Sequence, residues 1–277
     1  MNGSTPLYFE STGNKDTPAI VFLHGGGAAG WMWRKQVQSL SGRYHCLTPD
    51  LPEQGQSVNS GPFSMERAAD LVAELILSET QGKRAHVVGL SEGAQVVVAL
   101  LSRHPEMVDH AMISSAILRP LPGSSMYTPG LIKLMHRWFM QPLKNNDWWI
   151  RLNMHYAAGI PDEFYEEFKR SFQSTTEDGL TNMMLANMRF RLPPGLEKVK
   201  EPVLVVTGSK EYKQMKESAR DLLKVLPNAC GVAVDLGRNA TLAQEHNWAL
   251  SAPELFTQTM AAFIEDRDLP SELKEVV

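Results

Sequence analysis

Cysteine is nearly absent: two residues, Cys46 and Cys230, in 277. Far apart and without metal-ligand spacing, they read as reduced buried thiols, not as a disulfide framework or a catalytic pair, which points to the cytoplasm. No run of about 18 apolar residues occurs, so no membrane-spanning helix is expected. The opening MNGSTPLYFE has neither the basic stretch nor the apolar stretch of a secretory leader. Positive charge is also scarce: 27 Lys and Arg against 31 Asp and Glu leave a formal net charge of −4, which argues against a nucleic-acid partner. No His-x-x-x-His pattern, G-x-G-x-x-G turn or phosphate-binding loop appears, so neither a metal nor a nucleotide cofactor is expected. With 43% hydrophobic residues the chain can bury a full core without staples.

What is present is strand–helix alternation. Ala19–Leu23 (AIVFL), Tyr44–Thr48, Ala85–Val88, His110–Ser114, Val203–Thr207 and Gly231–Leu236 are short, β-branched apolar runs, the pattern of strands buried on both faces. Leu7–Ser11 reads as an edge strand. Ser64 is placed to cap a helix whose apolar positions, Ala68, Leu71, Val72, Leu75 and Ile76, fall at i, i+3, i+4, i+7 and i+8. A second helix follows Ser91 and ends near Pro105. The expected class is α/β: a mostly parallel central sheet flanked by helices.

The alternation stops between residues 118 and 198. This stretch holds Trp138, Trp148 and Trp149 and seven of the 14 Met, with Pro120, Pro122 and Pro129 leading in and Pro193 and Pro194 leading out. It reads as a helical cap inserted into a core made of residues 1–117 and 199–277. Most of its Met and aromatic side chains should pack internally and a minority should face a ligand. The polar stretch from Asp266 reads as a helix end and a tail.

Two motifs carry chemistry. Gly89-Leu90-Ser91-Glu92-Gly93 joins a strand to a helix, the setting in which G-x-S-x-G lifts a serine hydroxyl out of a sharp turn. His24-Gly25-Gly26-Gly27 follows the strand AIVFL, and its backbone N–H groups can be aimed at a developing oxyanion. His24 itself reads as a structural residue that holds this loop by hydrogen bonds.

With Asp50-Leu51-Pro52-Glu53-Gln54-Gly55-Gln56-Ser57, Pro202 to Gly208 (PVLVVTG) and a late His246-Asn247-Trp248, these motifs resemble the α/β-hydrolase superfamily, in particular its small capped esterases and lipase-like members. The resemblance covers residues 18–115 and 200–264. It implies a triad of Ser91, Glu211 and His246, with Gly26 and Glu92 N–H as the oxyanion donors. Asp235 is the substitute for Glu211, while Glu217 and Asp221 read as exposed helix positions. The chain departs from the family in three places. Pro52-Glu53-Gln54-Gly55 stands where Pro-Gly-His-Gly is usual, a change read as affecting only a turn. Asn239–Glu245 is a longer approach to the histidine than usual. Glu92 sets a carboxylate beside the nucleophile, with its side chain expected to point away from the site.

The function so implied is hydrolysis of small to medium hydrophobic acyl or aryl esters by a cofactor-free serine hydrolase, through an acyl-enzyme. Lactonase, carbon–carbon hydrolase, hydroxynitrile lyase and perhydrolase chemistry stay open, as does a ligand receptor with a silent or single-turnover triad. Ser at position 91 excludes the aspartate-dependent dehalogenases and epoxide hydrolases. The only partner implied is a small-molecule substrate, and homodimerisation through the cap is left open.

Overall fold

A computed structural model describes residues 6–276. Its strands are β1 (Phe9–Thr12), β2 (Ala19–Leu23), β3 (His45–Pro49), β4 (Ala85–Leu90), β5 (Val108–Ser114), β6 (Val203–Gly208), β7 (Ala229–Val234) and β8 (Lys274–Glu275). They form one eight-stranded sheet in the order β1-β3-β2-β4-β5-β6-β7-β8. The six inner strands run parallel, and β1 and β8 pair antiparallel at the edges. The tail expected after Asp266 therefore includes a strand: Lys274 pairs with Ala233 and Glu275 with Val232. Two polar residues carry no apolar pattern, and the free edge of β7 makes this strand.

Alternate residues of the inner strands feed two cores. Val21 and Leu23 of β2 face Leu71, Val72, Ile76 and Val97, while Ile20 and Phe22 face Trp33, Leu40, Trp248 and Phe256. Burial on both faces is why β2 and β6 read as unbroken apolar runs, whereas β7 is only partly buried. The helix Met65–Glu79 starts where expected, with Ser64 Oγ accepting from Arg67 N–H at 3.1 Å. All five of its periodic positions are buried.

Between β5 and β6, no strand occurs among the described residues. Helices Pro129–Met135, Asp147–Leu152, Tyr165–Ser174 and Glu177–Arg189 lie there instead. Trp31 Nε1 donates to Ser171 Oγ at 2.9 Å, Arg34 pairs with Glu167 at 2.6 Å, and Asn182 Nδ2 donates to both Glu53 oxygens at 3.0 and 3.2 Å. These contacts fasten the insertion to the loops that follow β2 and β3. Its composition misleads in one respect. Leu131, Leu134, Met135, Trp138 and Phe139 fall at core-facing helical spacing yet are exposed, as are Met126, Trp148 and Tyr156.

Candidate active site

In an open parallel sheet, the carboxyl ends of the strands are where loops can converge on a ligand. Ser91 follows β4, Glu211 follows β6, and His246 lies beyond β7. Ser91 adopts φ 56° and ψ −113°, a conformation an L-residue enters only under constraint. The flanking glycines supply that constraint. A Cβ on Gly89 would stand 2.4 Å from Gly93 O, and one on Gly93 would stand 2.2 Å from Leu23 O. Strand, turn and helix pass too close together for any side chain at either position. Ser91 N–H donates to Ser114 O at 2.8 Å, which anchors the turn to β5.

Glu211 and His246 meet directly, with 2.8 Å between Oε1 and Nδ1. Burial of Glu211 penalises its charge. The His246 hydrogen bond and charge, with hydroxyls from Ser115 and Thr207, outweigh that and hold the carboxyl below its ordinary range. Thr207 Oγ1 donates to Oε2 at 2.6 Å. Ser115 Oγ, by contrast, lies beside the carboxylate without good hydrogen-bond geometry. The family-implied acid is thus the residue paired with the histidine. Asp235 is engaged instead by Lys274 and Gly237 N–H. Glu217 and Asp221, expected to be exposed, are half-buried and clasp Arg119 at 2.8 and 2.6 Å.

The stretch before His246 is a short helix, Leu242–His246, started by a capping box between Thr241 and Gln244. Glu245 fixes it in place. Fully buried, it accepts from Ser209 Oγ at 3.0 Å, Lys210 N–H at 2.7 Å and Leu236 N–H at 3.3 Å. One carboxylate therefore joins the loop bearing Glu211 to the helix bearing His246. Sequence reasoning missed this residue. On the far side of the histidine, Trp248 Nε1 donates to Ser114 Oγ at 2.9 Å. Ser114 thus holds both the Ser91 turn and the segment after His246. Among the hydrogen bonds of the described residues, none joins Ser91 to His246. Such bonds are often long before substrate binds.

The third component is the loop after β2. His24 is fully buried and structural, as expected: its Nε2 accepts from Leu51 N–H at 2.9 Å and its Nδ1 donates to Gly25 O at 2.8 Å. Gly26 N–H has no partner among the described residues. Glu92 N–H is the first of its helix, where no intrahelical acceptor exists. Next to Gly26, Gly27 N–H donates to Gln54 Oε1 at 2.7 Å, and Gln54 Nε2 donates to Glu92 Oε1 at 2.6 Å. Both side-chain expectations are corrected here. Glu92 does not point away: it folds under the loop, and a Cβ on Gly26 would lie 3.2 Å from its Oε2. Gln54 is more than a turn residue, because it couples this loop to Glu92.

The same Gly26 position lies 3.4 Å from Met183 Sδ on the helix Glu177–Arg189, so the insertion reaches the site through Met183. A cavity of about 540 Å³ lined by Tyr8, Trp31, Asp50, Glu167 and Arg170 contains none of Ser91, Glu211 and His246. Among the described residues, no group of three or more His, Cys, Asp or Glu could hold a metal ion, and no helix is long and apolar enough to cross a membrane.

Known proteins are similar to this chain in sequence and in fold. A hydrolase superfamily protein of Gibberella zeae is 34% identical over 128 residues, 46% of this chain and 42% of that one. Here the chain spans less than half of its relative. The hydrolase YugF of Bacillus subtilis is 28% identical over 93% of this chain and 94% of its own, and the carboxylesterase YbfK of the same organism 24% over 92% and 82%. The enol-lactonase of Burkholderia xenovorans superposes with a TM-score of 0.73 at 22% identity, covering 94% and 96% of the two chains. The family model described as "Alpha/beta hydrolase family" matches residues 20–259. The chain belongs to the alpha/beta hydrolase family.

Proposed function

We propose that this hydrolase cleaves carboxylic esters by a serine mechanism, with Ser91 as nucleophile, His246 as general base and Glu211 as its orienting acid. The observation that carries the reading is the 2.8 Å bond between Glu211 and His246 Nδ1, at the same carboxyl end of the strands as the constrained Ser91 turn. An ionised Glu211 keeps a proton on Nδ1, which leaves Nε2 free to accept one. Ser91 Oγ then attacks the ester carbonyl as its proton passes to Nε2. The carbonyl oxygen takes up the electron pair and rests on Gly26 and Glu92 N–H. Collapse breaks the C–O bond, and the alcohol leaves with the Nε2 proton. Water repeats the sequence on the acyl-enzyme: His246 takes its proton, the acid departs and Ser91 is restored.

The residues between β5 and β6 act as the cap in this reading, and Met183 beside Gly26 supports an apolar acyl or aryl group at the site. Cys46 is a buried thiol, pushed up to about 12 by burial, whereas Cys230, expected to be buried, is exposed; that neither is in a disulfide supports a reducing cytoplasmic setting. The carboxylesterase activity named for YbfK supports an ester as the substrate class.

The test is hydrolysis of p-nitrophenyl esters from acetyl to dodecanoyl by the wild type, Ser91→Ala and Glu211→Gln. Wild-type turnover should vanish with the first change and fall by roughly 10³- to 10⁴-fold with the second, which favours the wrong imidazole tautomer and removes the charge that stabilises the imidazolium. Hydrolysis that survives Ser91→Ala would refute the mechanism. Tight ligand binding without turnover would assign a receptor instead.

A further inference from the structure

The side chain of Glu92 is unusual among the charged residues around the site. It is fully buried, its Oε1 has one partner (Gln54 Nε2 at 2.6 Å), and its Oε2 has none. An ionised carboxylate with an unpaired oxygen in that position would be costly, whereas a protonated one is tolerable. The same carboxamide that donates to Glu92 accepts from Gly27 N–H at 2.7 Å. Gln54 therefore has one fixed orientation, its NH₂ toward Glu92 and its oxygen toward the glycine loop. We propose that Glu92 is a positioning residue for the oxyanion loop, holding Gly27 and with it Gly26 through the Gln54 carboxamide, while its own carboxyl stays protonated in the working enzyme.

This rests on the serine-hydrolase reading above and goes beyond it by making the state of one buried acid a condition of the rate. Burial is the larger influence on Glu92 and pushes its carboxyl up to about 8, with the Gln54 hydrogen bond pulling the other way. The elements packed around it bring His24 from the end of β2, Asp50 and Glu53 from the loop after β3, and Glu177 and Asp178 from the insertion helix over Gly26. His24 is held neutral chiefly by burial. Asp50 is engaged by Gly30 and Gln56 N–H, and Glu53 by Phe63 N–H and Asn182. Glu177 and Asp178 pair with Arg137 and Lys133. His246 is engaged by Glu211. Among the described residues no cation offsets a charge on Glu92. Once ionised, it would place a negative charge beside the N–H groups that receive the oxyanion.

The experiment is the pH dependence of kcat on one p-nitrophenyl ester between pH 6 and 9.5, each protein being read against its own value at pH 7. Wild-type kcat should fall about 10-fold or more between pH 8 and 9.5, because each pH unit past the midpoint depletes the protonated form tenfold. Glu92→Gln, neutral at every pH, should keep its pH 7 value up to pH 9.5. Gln54→Ala, which releases Gly27, should lower kcat by about 10- to 100-fold with KM changed less than threefold. Glu92→Leu should lower it similarly, and circular dichroism confirms the fold of each variant. A wild-type profile flat to pH 9.5, or a Glu92→Gln profile that keeps the alkaline fall, overturns the proposal. Ser91-independent hydrolysis overturns the underlying mechanism instead, so the two failures are distinguishable.

Discussion

Acid should weaken this fold in part through the buried ring of His86. His86, the second residue of β4, is 8% exposed, and its Nδ1 is buried without a hydrogen-bond partner. Its ring stands 5.0 Å from that of His110 on β5, and Tyr44 closes edge-on at 6.2 Å. Burial first, and the neighbouring His110 second, lower the His86 pKa from the ordinary 6.5 to about 4. The sign follows from linkage. Below pH 6.5 the unfolded chain binds a proton at this ring that the folded chain refuses, so stability falls as pH falls and levels off near pH 4. A difference of about 2.5 pKa units corresponds to about 3 kcal/mol over that window. Urea midpoints of the wild type and His86→Leu, measured at pH 7, 6, 5 and 4.5, should isolate this contribution, since the other acid-sensitive groups are common to both. The wild-type stability, relative to the variant, should drop by about 1 kcal/mol per pH unit below 6.5. A difference between the two proteins that stays constant from pH 7 to 4.5 would refute the assignment.

Two further substitutions test how the site is built. Gly93→Ala forces a Cβ to within 2.2 Å of Leu23 O, and only backbone displacement relieves it. Thermal melting should show a loss of at least about 5 °C, and an unchanged Tm would mean the Ser91 turn is not as tightly packed as described. Glu245→Ala leaves Ser209 Oγ, Lys210 N–H and Leu236 N–H without their acceptor and frees the Glu211 loop from the His246 helix. Ester turnover should fall about 10-fold or more with KM nearly unchanged; kcat within twofold of wild type would show that Glu245 does not position the pair.

What could be read in the sequence is what a short segment must satisfy by itself. β2 and β6 show because both faces are buried, so AIVFL or VLVVT has no polar alternation to confuse. Ser91 shows because its glycines answer contacts made within the same strand, turn and helix, or with the neighbouring strand. The helix before His246 was legible in principle, since Thr241 and Gln244 have capping-box spacing. The exposed stripe from Leu131 to Phe139 had the spacing of a core helix, but periodicity identifies a face and not what covers it. Glu245 and Gln54 could not be found this way, because each acts on backbone groups whose positions exist only after folding.

The altered stretch Pro52-Glu53-Gln54-Gly55 shows how such long-range roles arise together. Glu53 takes a positive φ of 61°, which costs an L-residue about 1–2 kcal/mol relative to glycine. Its side chain offsets that cost: Oε2 accepts from Phe63 N–H at 2.7 Å, and both oxygens accept from Asn182 on the insertion. The next residue, Gln54, faces inward to Gly27 and Glu92. Adjacent side chains thus grip the insertion on one side and the glycine loop on the other. Met183, one residue after Asn182, is the group that reaches Gly26. The turn after β3 therefore links the helix Glu177–Arg189 to the glycine loop after β2. A change at Glu53 should alter both the placement of Met183 and the register of the loop, although the Glu53 side chain hydrogen-bonds to neither.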